Sequence, residues 1–481
     1  MTLSSPPNVP LCVDLDGTLI LTDTLFESVA KLLKLNWFYV FLLPIWLLGG
    51  KGLLKSRIAE RISLQVDRTP THLGFLAWLK DQHRQGRRLI LVTGSHETYA
   101  HAYAERFDCF DEVMATTEHR NLTSHDKRQA LVERFGERGF DYAGNHKVDL
   151  NVWQQARRAI VVSSNAQLIQ QARALAPIEE IFPCPFKPGI HTVKKALRLH
   201  QWLKNVLVFV PLFTGHLFHS ADAIGSAIWA FILMSVCASA TYFINDILDV
   251  EADRIHHRKC YRPFASGELS ILTGAIAAGV MLLISFVLAA IVLPAEFVFI
   301  LFSYLVLTLT YSLRFKRLQS LDVVTLALLY TIRVLAGAAA IGIAVSFWLL
   351  AFSLFLFLSL GLVKRVSELQ KLVQTDKSSA EGRGYMVSDL PILQSLGTTS
   401  GYLSILVIAL YIHSEEVTQL YQKPQLLWII CPILTVWITR IWILTARGLV
   451  DEDPVEYAIR DRYTWAAAFA CFFMIIIAAI S

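Results

Sequence analysis

Three aspartates in the C-terminal half are spaced so that they could hold a metal ion. Asp246, Asp249 and Asp253 stand at positions i, i+3 and i+7, so on a helix their carboxylates share one face. Carboxylates at the end of an apolar span repel one another, and a divalent cation removes that cost. Mg²⁺ binds a few carboxylates together with phosphate oxygens. The spacing therefore predicts a Mg²⁺ site for a departing diphosphate. The simpler alternative is a solvated loop of N-capping acids, against which the trailing cations Lys259 and Arg262 argue.

One basic residue, Arg333, lies inside an apolar run. The run extends over residues 323–344, where a charged side chain is costly and is usually kept for function. The alternatives are a cation that reaches the membrane interface and one that is paired with an acid. Arg333 is therefore a candidate substrate-binding residue, with these alternatives open.

A second set of polar residues, near the N-terminus, could cleave a phosphate ester. Asp14 and Asp16 follow a short apolar run, and their carboxylates could attack phosphorus and protonate the leaving oxygen. A second apolar run, residues 89–92, ends at Thr93, where a hydroxyl and backbone N–H groups could hold phosphate. A structural turn can also contain Asp-Gly-Thr, so the motif needs its partners further along the chain.

The elements that carry these residues belong to two kinds of domain. Of the 481 residues, 54% are hydrophobic and the mean hydropathy is +0.47, too apolar for a protein that faces water on all sides. Charged and apolar residues are mixed up to about Pro188, whereas long apolar runs dominate from Val206 onward. We therefore predict a soluble α/β domain at residues 1–189 and an all-α membrane domain at residues 190–481, joined by the proline-rich connector 183–189.

Apolar runs in the C-terminal half approach the roughly 20 residues that a helix needs to cross a bilayer. Basic residues concentrate in the loops on one side of these runs, and cytoplasmic loops retain Lys and Arg. This distribution predicts a multi-pass protein of the inner (cell) membrane, with the N-terminal domain in the cytoplasm and Ser481 outside. About nine spans are predicted, centred on residues 206–218, 223–244, 272–293, 297–313, 323–344, 347–362, 403–412, 426–443 and 465–480.

The composition argues against several other classes. The seven cysteines have no paired spacing that would suit a disulfide framework or a zinc site. A net charge of +5 without a dense basic tract predicts no nucleic-acid partner. The charged residues cluster in loops on one side and there is no internal repeat, which argues against a transporter.

The aspartate-rich run resembles the NDxxDxxxD signature of the UbiA superfamily of intramembrane prenyltransferases, and the following HxxKxxRP run is similar to that family as well. The resemblance covers about residues 193–481. It implies that Asp246 and Asp249 are catalytic, and that Lys259 and Arg262 assist substrate binding. The residues implied to bind Mg²⁺ and diphosphate are Asn245, Asp246, Asp249 and Asp253.

Other segments look like decaprenyl-phosphate phosphoribosyltransferases of that superfamily. Residues 199–205 resemble an RPxQWxKN motif, with Leu199 in place of proline, and residues 311–316, 322–324 and 364–369 are similar too. A phosphoribosyl diphosphate carries an additional phosphate, so it needs more cations than a prenyl diphosphate. The resemblance implies transfer of 5-phosphoribose to a polyprenyl phosphate. The alternative is a prenyltransferase that joins a polyprenyl diphosphate to an aromatic or other small acceptor. The candidate donor-binding cations are Lys204, Lys316, Arg317, Arg333, Lys364 and Arg365.

The N-terminal motifs together resemble the haloacid dehalogenase superfamily over about residues 10–162. The resemblance implies a Rossmann-like fold, with Asp14 as nucleophile, Asp16 as acid/base, and Thr93 and Lys127 as phosphate ligands. The implied Mg²⁺ ligands are Asp14, Asp16, Asn145 and Asp149. Because Asn145 stands where such phosphatases usually have aspartate, two hypotheses remain. The domain either removes the 5-phosphate from the lipid product or is a degenerate regulatory module.

Two further segments have alternative interpretations. The aromatic-rich residues 37–48 are too few to span a bilayer, and they suit either a membrane interface or the hydrophobic core of a cap insertion. Near the C-terminus, Asp461 could reinforce the metal site or pair with Arg460 or Arg462.

Overall fold

The chain folds into two compact units in a computed structural model that describes residues 9–118, 120–186, 189–373, 384–414, 417, 421–450 and 454–480. Unit one comprises Met1–Arg198 and Tyr242–Gly279, and unit two comprises Leu199–Thr241 and Val280–Ser481. Parts of the sequence predictions lie outside the described residues, namely positions 187 and 188 of the connector and the C-terminal Ser481.

A six-stranded parallel sheet forms the centre of unit one, as the sequence predicts for a Rossmann-like domain. The strand order is β3-β2-β1-β4-β5-β6. Helices cover both faces of a parallel sheet, which is why the three residues of β1 are all apolar and buried. The strands are β1 Leu11–Val13, β2 Leu89–His96, β3 Glu112–Thr116, β4 Asp141–Gly144, β5 Ala159–Val162 and β6 Ile178–Phe182.

The strand order determines where the polar residues meet. β1 is central and pairs in parallel with β2 on one side and β4 on the other, with Cys12 opposite Ile90 and Tyr142. The carboxyl ends of parallel strands lie at the same edge of a sheet, and ligands bind at that edge. The segments that follow these three strands carry most of the predicted phosphatase residues.

Helices of unit one cover the sheet and form a small insertion between β1 and β2. The insertion has its own apolar cluster of Leu32, Leu54, Ile58 and Ile62. The helices are α1 Thr24–Leu35, α2 Tyr39–Leu48, α3 Lys51–Ala59, α4 Leu73–Arg84, α5 Glu97–Phe107, α6 Ser124–Phe135, α7 Leu150–Trp153, α8 Ala166–Leu175 and α9 Ile190–Leu197.

The remainder of the chain is helical, as predicted. Helices of unit two pack around a core that includes Val334, Val363 and Trp442. The helices are α10 Val210–Thr214, α11 Ala221–Leu248, α12 Val250–Ile255, α13 Ile271–Val292, α14 Ala295–Leu313, α15 Leu321–Ile341, α16 Phe347–Val373, α17 Leu390–Ile412, α18 Ile430–Ala446, α19 Pro454–Arg460 and α20 Arg462–Ile480. The end of α11, all of α12 and the start of α13 belong to unit one.

Seven helical segments among the described residues are long and apolar enough to cross a membrane, so the predicted count of nine is not confirmed. The first predicted span, residues 206–218, is instead the end of a 3₁₀ segment, Leu199–Phe209, followed by the five-residue α10. Pro211 lacks a backbone N–H and Gly215 ends this helix, so no span-length helix forms there. The last predicted span corresponds to α20, which is apolar but shorter than the other seven over its described side chains.

Candidate functional site

Asp14, the predicted nucleophile, lies directly after β1 beside a buried lysine. The Asp14 Oδ1 atom is 2.7 Å from Lys127 Nζ, and the same ammonium donates a hydrogen bond of 3.0 Å to Tyr142 Oη. Burial raises the pKa of Asp14 to about 6, although Lys127 opposes the shift. Burial disfavours the charged form of Lys127, but Asp14 outweighs this and raises the pKa of the ammonium. The predicted partners Asp14 and Lys127 therefore form a partly buried ion pair.

Asp16, the predicted acid/base, is held by residues from two other elements. Its Oδ1 atom accepts a 2.8 Å hydrogen bond from the backbone N–H of Thr24, and Ser95 Oγ donates to its Oδ2 atom. Burial, with the nearby Asp23 carboxylate, raises the pKa of Asp16 to about 7, and the Ser95 hydrogen bond opposes the shift. A carboxyl group with such a pKa can carry a proton near neutral pH, as a general acid must.

Asn145 and Asp149 follow β4, next to the Asp14 loop. Asp149 accepts hydrogen bonds from Tyr142 Oη and from the backbone N–H groups of Asn145 and His146, at 2.9–3.0 Å. Asn145 packs against Gly17, because a Cβ atom at Gly17 would lie 2.3 Å from Asn145 Nδ2. Gly17 also has φ +71°, a conformation that other residues adopt only with strain. The sheet therefore brings both residues to the loop that carries Asp14 and Asp16.

A cavity of about 490 Å³ opens over these residues in unit one. Asp14, Asp16, Lys127, Asn145 and Asp149 line it, together with several residues that the sequence analysis did not select. Thr93 does not line the cavity; it is fully buried, and its Oγ1 atom accepts a hydrogen bond from the Ser95 N–H. The additional polar lining residues include Thr24, Lys55, Ser95 and His96.

Lys55 is the clearest of the residues that the sequence analysis missed. It lies on α3, and its Nζ atom donates hydrogen bonds to Gly94 O at 2.6 Å and Asn121 Oδ1 at 3.0 Å. Burial lowers the pKa of this ammonium, opposed by Asp16 and Asp23. No local motif marks a lysine of an insertion, whereas Ser95 could have been selected from the Thr93-Gly94-Ser95 run.

One wall of the cavity comes from a part of unit one that is far away in sequence. Ser270, Ile271 and Leu272 line it, and α13 begins at Ile271. This helix is the most apolar of the seven candidate membrane spans among the described residues. The phosphatase-type cavity therefore opens beside the start of an apolar, span-length helix.

The aspartate-rich segment lies at the end of α11 and along α12, also in unit one. Asp246 and Asp253 are each 3% exposed, and Arg262 joins them: its Nη1 atom is 3.1 Å from Asp246 Oδ1 and 2.7 Å from Asp253 Oδ2. Arg198 also pairs with Asp246. Burial raises the pKa of Asp253, and Arg262 opposes the shift. Two of the three spaced aspartates thus share one cation.

Asp249 occupies the short break between α11 and α12. The helical backbone bonding continues through it, because its N–H donates to Asn245 O and its carbonyl accepts from the Asp253 N–H. Its Oδ1 atom is 2.7 Å from Lys34 Nζ on α1. Lys259 begins a 3₁₀ turn, Lys259–Tyr261, and its carbonyl accepts from the Arg262 N–H. The backbone hydrogen bonds through Asp249 therefore keep the three spaced aspartates on consecutive helical turns.

The donor sets of both sites suit Mg²⁺ chemically. Both consist of carboxylate oxygens, with an amide oxygen from Asn145 in one case, and such hard ligands bind Mg²⁺ when phosphate oxygens and water complete the shell. Within the described part of the chain, no three His, Cys, Asp or Glu side chains form a preassembled metal cluster. The donor types alone fit Mg²⁺, and phosphate oxygens of a substrate and water would have to complete its coordination shell.

Arg333 lies in the core of unit two with neutral partners. It is 5% exposed; Nε donates to Asn205 Oδ1 at 2.8 Å and Nη2 to Tyr304 Oη at 3.3 Å. Its guanidinium also stacks on the Tyr304 ring, 5.1 Å from the centroid, and Lys204 Nζ lies 6.0 Å from the Tyr330 centroid. Among the described residues, no carboxylate pairs with Arg333. Of the two alternatives raised for Arg333, pairing with an acid is therefore not found among the described residues.

Other predicted cations of unit two have different surroundings. Arg365 is 1% exposed and pairs with Asp322 and Glu368, while Tyr311 donates to Asp322 at 2.9 Å. Lys316 lies in a 3₁₀ turn, Phe315–Arg317, and Lys364 on α16, beside Arg365. Arg365 is therefore part of a buried ion-pair network.

Asp461 has a partner that was not among its predicted ones. It forms a bidentate ion pair with Arg440 of α18, at 2.7 and 3.0 Å. Residues 451–453, the acidic start of this stretch, lie outside the described residues.

A second cavity, of about 480 Å³, lies within unit two. Its walls are almost entirely apolar and come from α10, α15, α16, α17, α18 and α20. Trp348, Phe352 and Leu434 are typical of its lining. Such a cavity suits a hydrocarbon chain.

A hydrolase-type sheet and an aspartate-rich segment among apolar helices define a membrane protein with two enzyme-type domains. Residues 208–456 match the UbiA prenyltransferase family, and residues 11–152 match the haloacid dehalogenase-like hydrolases. The first match covers more than half of the chain. The chain belongs to the UbiA prenyltransferase family and carries a haloacid dehalogenase-like domain at its N-terminus.

Relatives with assigned names give further similarities. The chain is 35% identical over 471 residues to uncharacterized protein y4nM of Sinorhizobium fredii, covering 95% of this chain and 88% of that protein. It is 35% identical to nodulation protein NoeC of Azorhizobium caulinodans, over 56% of this chain and 87% of that one. It is 29% identical to decaprenyl-phosphate phosphoribosyltransferase of Mycobacterium tuberculosis, over 61% of this chain and 95% of that enzyme.

Proposed function

We propose that the membrane domain transfers 5-phosphoribose from phosphoribosyl diphosphate to a polyprenyl phosphate, and that the N-terminal domain then removes the 5-phosphate. The observation that carries the first part is Arg333, a buried cation with neutral partners. Taking a charge out of water costs several kcal/mol unless an opposite charge compensates it. An anionic substrate would supply that charge, and a donor with two phosphorylated positions supplies more of it than a prenyl diphosphate does.

The transfer is a displacement at the anomeric carbon of ribose. An oxygen of the polyprenyl phosphate attacks this carbon, and the bond to the diphosphate oxygen breaks. A phosphate anion is already nucleophilic, so this step needs no strong general base. Asp246, Asp249 and Asp253 would hold Mg²⁺, which when bound offsets the charge of the diphosphate, and Arg262 lies beside Asp246 and Asp253. The apolar cavity of unit two suits the lipid tail.

The phosphatase step follows from the residues at the end of β1. An Asp14 oxygen attacks phosphorus and the bond to the ribose 5-oxygen breaks, while Asp16 donates a proton to that oxygen. Water then attacks phosphorus, the bond between phosphorus and the Asp14 oxygen breaks, and Asp16 accepts a proton from the water, so that inorganic phosphate leaves and the Asp14 carboxylate is regenerated. The raised pKa of Asp16, about 7, supports its role as the acid. Lys127 and Lys55 line the cavity and would face the phosphate oxygens.

The exposed side of α2 supports a lipid-borne substrate for this domain. Tyr39, Leu43 and Trp46 pack on the cap cluster, but Phe41 and Ile45 are 63% and 60% exposed. The core interpretation of residues 37–48 therefore holds for one face of the helix only. Exposed aromatic and aliphatic side chains on a short helix are typical of a segment that lies in the membrane interface. The apolar start of α13 forms part of the cavity wall, which also favours a substrate carried by a lipid.

A donor comparison with the purified full chain tests the transferase proposal. We expect labelled lipid and diphosphate to form from phosphoribosyl diphosphate and polyprenyl phosphate in the presence of Mg²⁺. The Asp246→Ala variant should stay folded, with a lower melting temperature because Arg198 loses its carboxylate partner, and form neither product. Turnover of a polyprenyl diphosphate with an aromatic acceptor, and none with phosphoribosyl diphosphate, would establish the prenyltransferase alternative and refute the proposal.

Product analysis tests the phosphatase proposal separately. In the wild type, inorganic phosphate should appear after the phosphoribosyl lipid. The Asp14→Asn variant should accumulate the phosphorylated lipid and release diphosphate but no inorganic phosphate. Inorganic phosphate release by Asp14→Asn at the wild-type rate would rule out this role for the domain. That result would favour the alternative, in which the domain is a degenerate regulatory module.

A further inference from the structure

Helix α1 of the hydrolase-like domain is bound to the aspartate-rich segment by three ion pairs within unit one. The α1 residues stand at i, i+4 and i+7, so they lie on one face of the helix. Their partners lie on or next to α12, in the reverse chain direction. The pairs are Glu27 with Arg254, Lys31 with Glu251, and Lys34 with Asp249.

The Glu27–Arg254 pair is the buried member of this set. The two carboxylate oxygens of Glu27 accept from Arg254 Nη1 and Nη2 at 3.0 and 2.5 Å, and Arg254 Nε donates to Ala265 O at 3.1 Å. Glu27 is 2% exposed and Arg254 7%. A bidentate arginine–carboxylate pair fixes orientation as well as distance, because both N–H groups must meet both oxygens. This pair therefore defines where α12 lies on α1.

The pairs nearer solvent extend the contact to the predicted metal ligand. Lys31 Nζ is 2.7 Å from Glu251 Oε2, and Lys34 Nζ is 2.7 Å from Asp249 Oδ1. Glu251 also accepts from the Gln65 N–H at 3.1 Å. Beyond α12, the chain approaches closely again at Gly267, where a Cβ atom would lie 2.9 Å from Leu21 O. The segment from Asp249 to Gly267 is thus held at several points by the hydrolase-like domain.

The opposite end of α1 belongs to the phosphatase cavity. Asp23 caps this end by accepting from the Leu25 and Phe26 N–H groups. The N–H of Thr24 donates to Asp16, the predicted acid/base. The 12-residue helix α1 therefore contacts Asp16 of the phosphatase cavity at its first residue, Thr24, and Asp249 of the transferase motif near its last, at Lys34.

We propose that α1 positions the aspartate-rich segment, so that the hydrolase-like domain is a structural part of the transferase site, independently of its own catalysis. Glu27 is the main positioning residue and acts through Arg254. This inference rests on the proposed transferase function of the segment. The position of the segment itself can be measured without any assay of turnover.

The test compares hydrogen exchange and turnover in the full chain embedded in lipid nanodiscs. Glu27→Gln leaves Arg254 buried without its counter-charge, and we expect amide exchange over residues 249–262 to rise at least tenfold. Glu179→Gln is the matched control. Glu179 lies on β6 and pairs with the buried Arg87, so the substitution also removes a carboxylate partner of a buried arginine, but it does so away from α12. It should leave exchange at residues 249–262 unchanged. A second variant, Lys31→Met with Lys34→Met, removes two pairs without leaving a fully buried charge, and a smaller rise is expected.

The kinetic readout separates positioning from general destabilisation. In Glu27→Gln the Mg²⁺ concentration needed for half-maximal transfer should rise at least fivefold, with the KM for the lipid unchanged. The proposal is overturned if Glu27→Gln exchanges like the wild type over residues 249–262, or if Glu179→Gln accelerates exchange there equally. If the wild type transfers no phosphoribose at all, the proposed function fails, while the exchange result still decides whether α1 holds the segment.

Discussion

Replacing Arg333 by methionine separates a functional charge from a structural one. The substitution removes a buried cation, whose desolvation costs several kcal/mol. It also deprives Asn205 Oδ1, on a fully buried side chain, of its 2.8 Å donor, which costs roughly 1–3 kcal/mol. These contributions have opposite signs. We therefore expect the melting temperature of Arg333→Met to stay within about 5 °C of the wild type, since roughly 2–4 °C corresponds to 1 kcal/mol in a domain of 150–250 residues.

The expected effect of Arg333→Met on transfer is much larger. An arginine about 4 Å from a phosphate charge contributes about 4 kcal/mol at an effective dielectric constant near 20. Since about 1.4 kcal/mol corresponds to a factor of ten, kcat/KM for phosphoribosyl diphosphate should fall by about 10³-fold. Arg333→Lys keeps the charge but loses the Asn205 and Tyr304 geometry, so an intermediate loss of about tenfold is expected.

Release of diphosphate, measured with purified protein in detergent together with a thermal melt, checks both numbers. The matched control is Arg365→Met, which leaves the buried Asp322 without its cation and should destabilise the protein by roughly 3–5 kcal/mol. Arg333→Met with near-wild-type turnover would refute the reasoning. A loss of stability as large as in Arg365→Met would refute it as well, because Arg333 would then be a structural residue.

Three further predictions concern the metal sites and the membrane contact. Lys34→Met removes a cation that competes for Asp249 while the buried Glu27–Arg254 pair still holds the segment, so Mg²⁺ binding, measured by Mg²⁺-dependent thermal shift, should strengthen up to about fivefold, since a partly exposed ion pair contributes about 0–1 kcal/mol; Lys31→Met, whose partner Glu251 is not a motif aspartate, should change it less, and weaker Mg²⁺ binding by Lys34→Met would contradict this. Asn145→Asp adds a further acidic ligand to Asp14, Asp16 and Asp149, so half-maximal phosphatase activity should need at least tenfold less Mg²⁺; an unchanged Mg²⁺ dependence would contradict the placement of Asn145. A spin label at Phe41→Cys should be relaxed more by lipid-soluble oxygen than by a water-soluble nickel chelate, and the reverse order would show that α2 faces water.

The sequence was sufficient for the two fold classes, a parallel α/β sheet and a set of apolar helices, because their patterns are local. A buried strand followed by Asp14-x-Asp16 and long apolar runs are each visible within about 20 residues. The first predicted span, residues 206–218, shows the limit. Its composition is apolar enough, but Pro211 removes a backbone donor and Gly215 ends α10, so composition overestimated its length.

The partners of the site residues could not be predicted, because they come from distant parts of the chain. The spacing of Asp246 and Asp253 indicates a shared face, yet nothing near them points to Arg198, and Lys34 lies more than 200 residues before Asp249. Lys55 likewise reaches the cavity from an insertion without a motif. Ion pairs of this kind depend on tertiary packing, which periodicity does not encode.

The charges around the aspartate-rich segment also bear on the order in which Mg²⁺ and a diphosphate donor would bind. Asp246, Asp249 and Asp253 carry three negative charges when ionised, and Arg198, Arg262 and Lys34 pair with them, with Lys259 also acting on Asp253. Mg²⁺ alone would add two positive charges beside these cations and would compete with them for the carboxylates. A Mg²⁺–diphosphate complex has a net negative charge, so its phosphate oxygens can accept the N–H groups of the arginines that its metal ion releases. The arrangement therefore favours binding of metal and donor together over binding of the metal first.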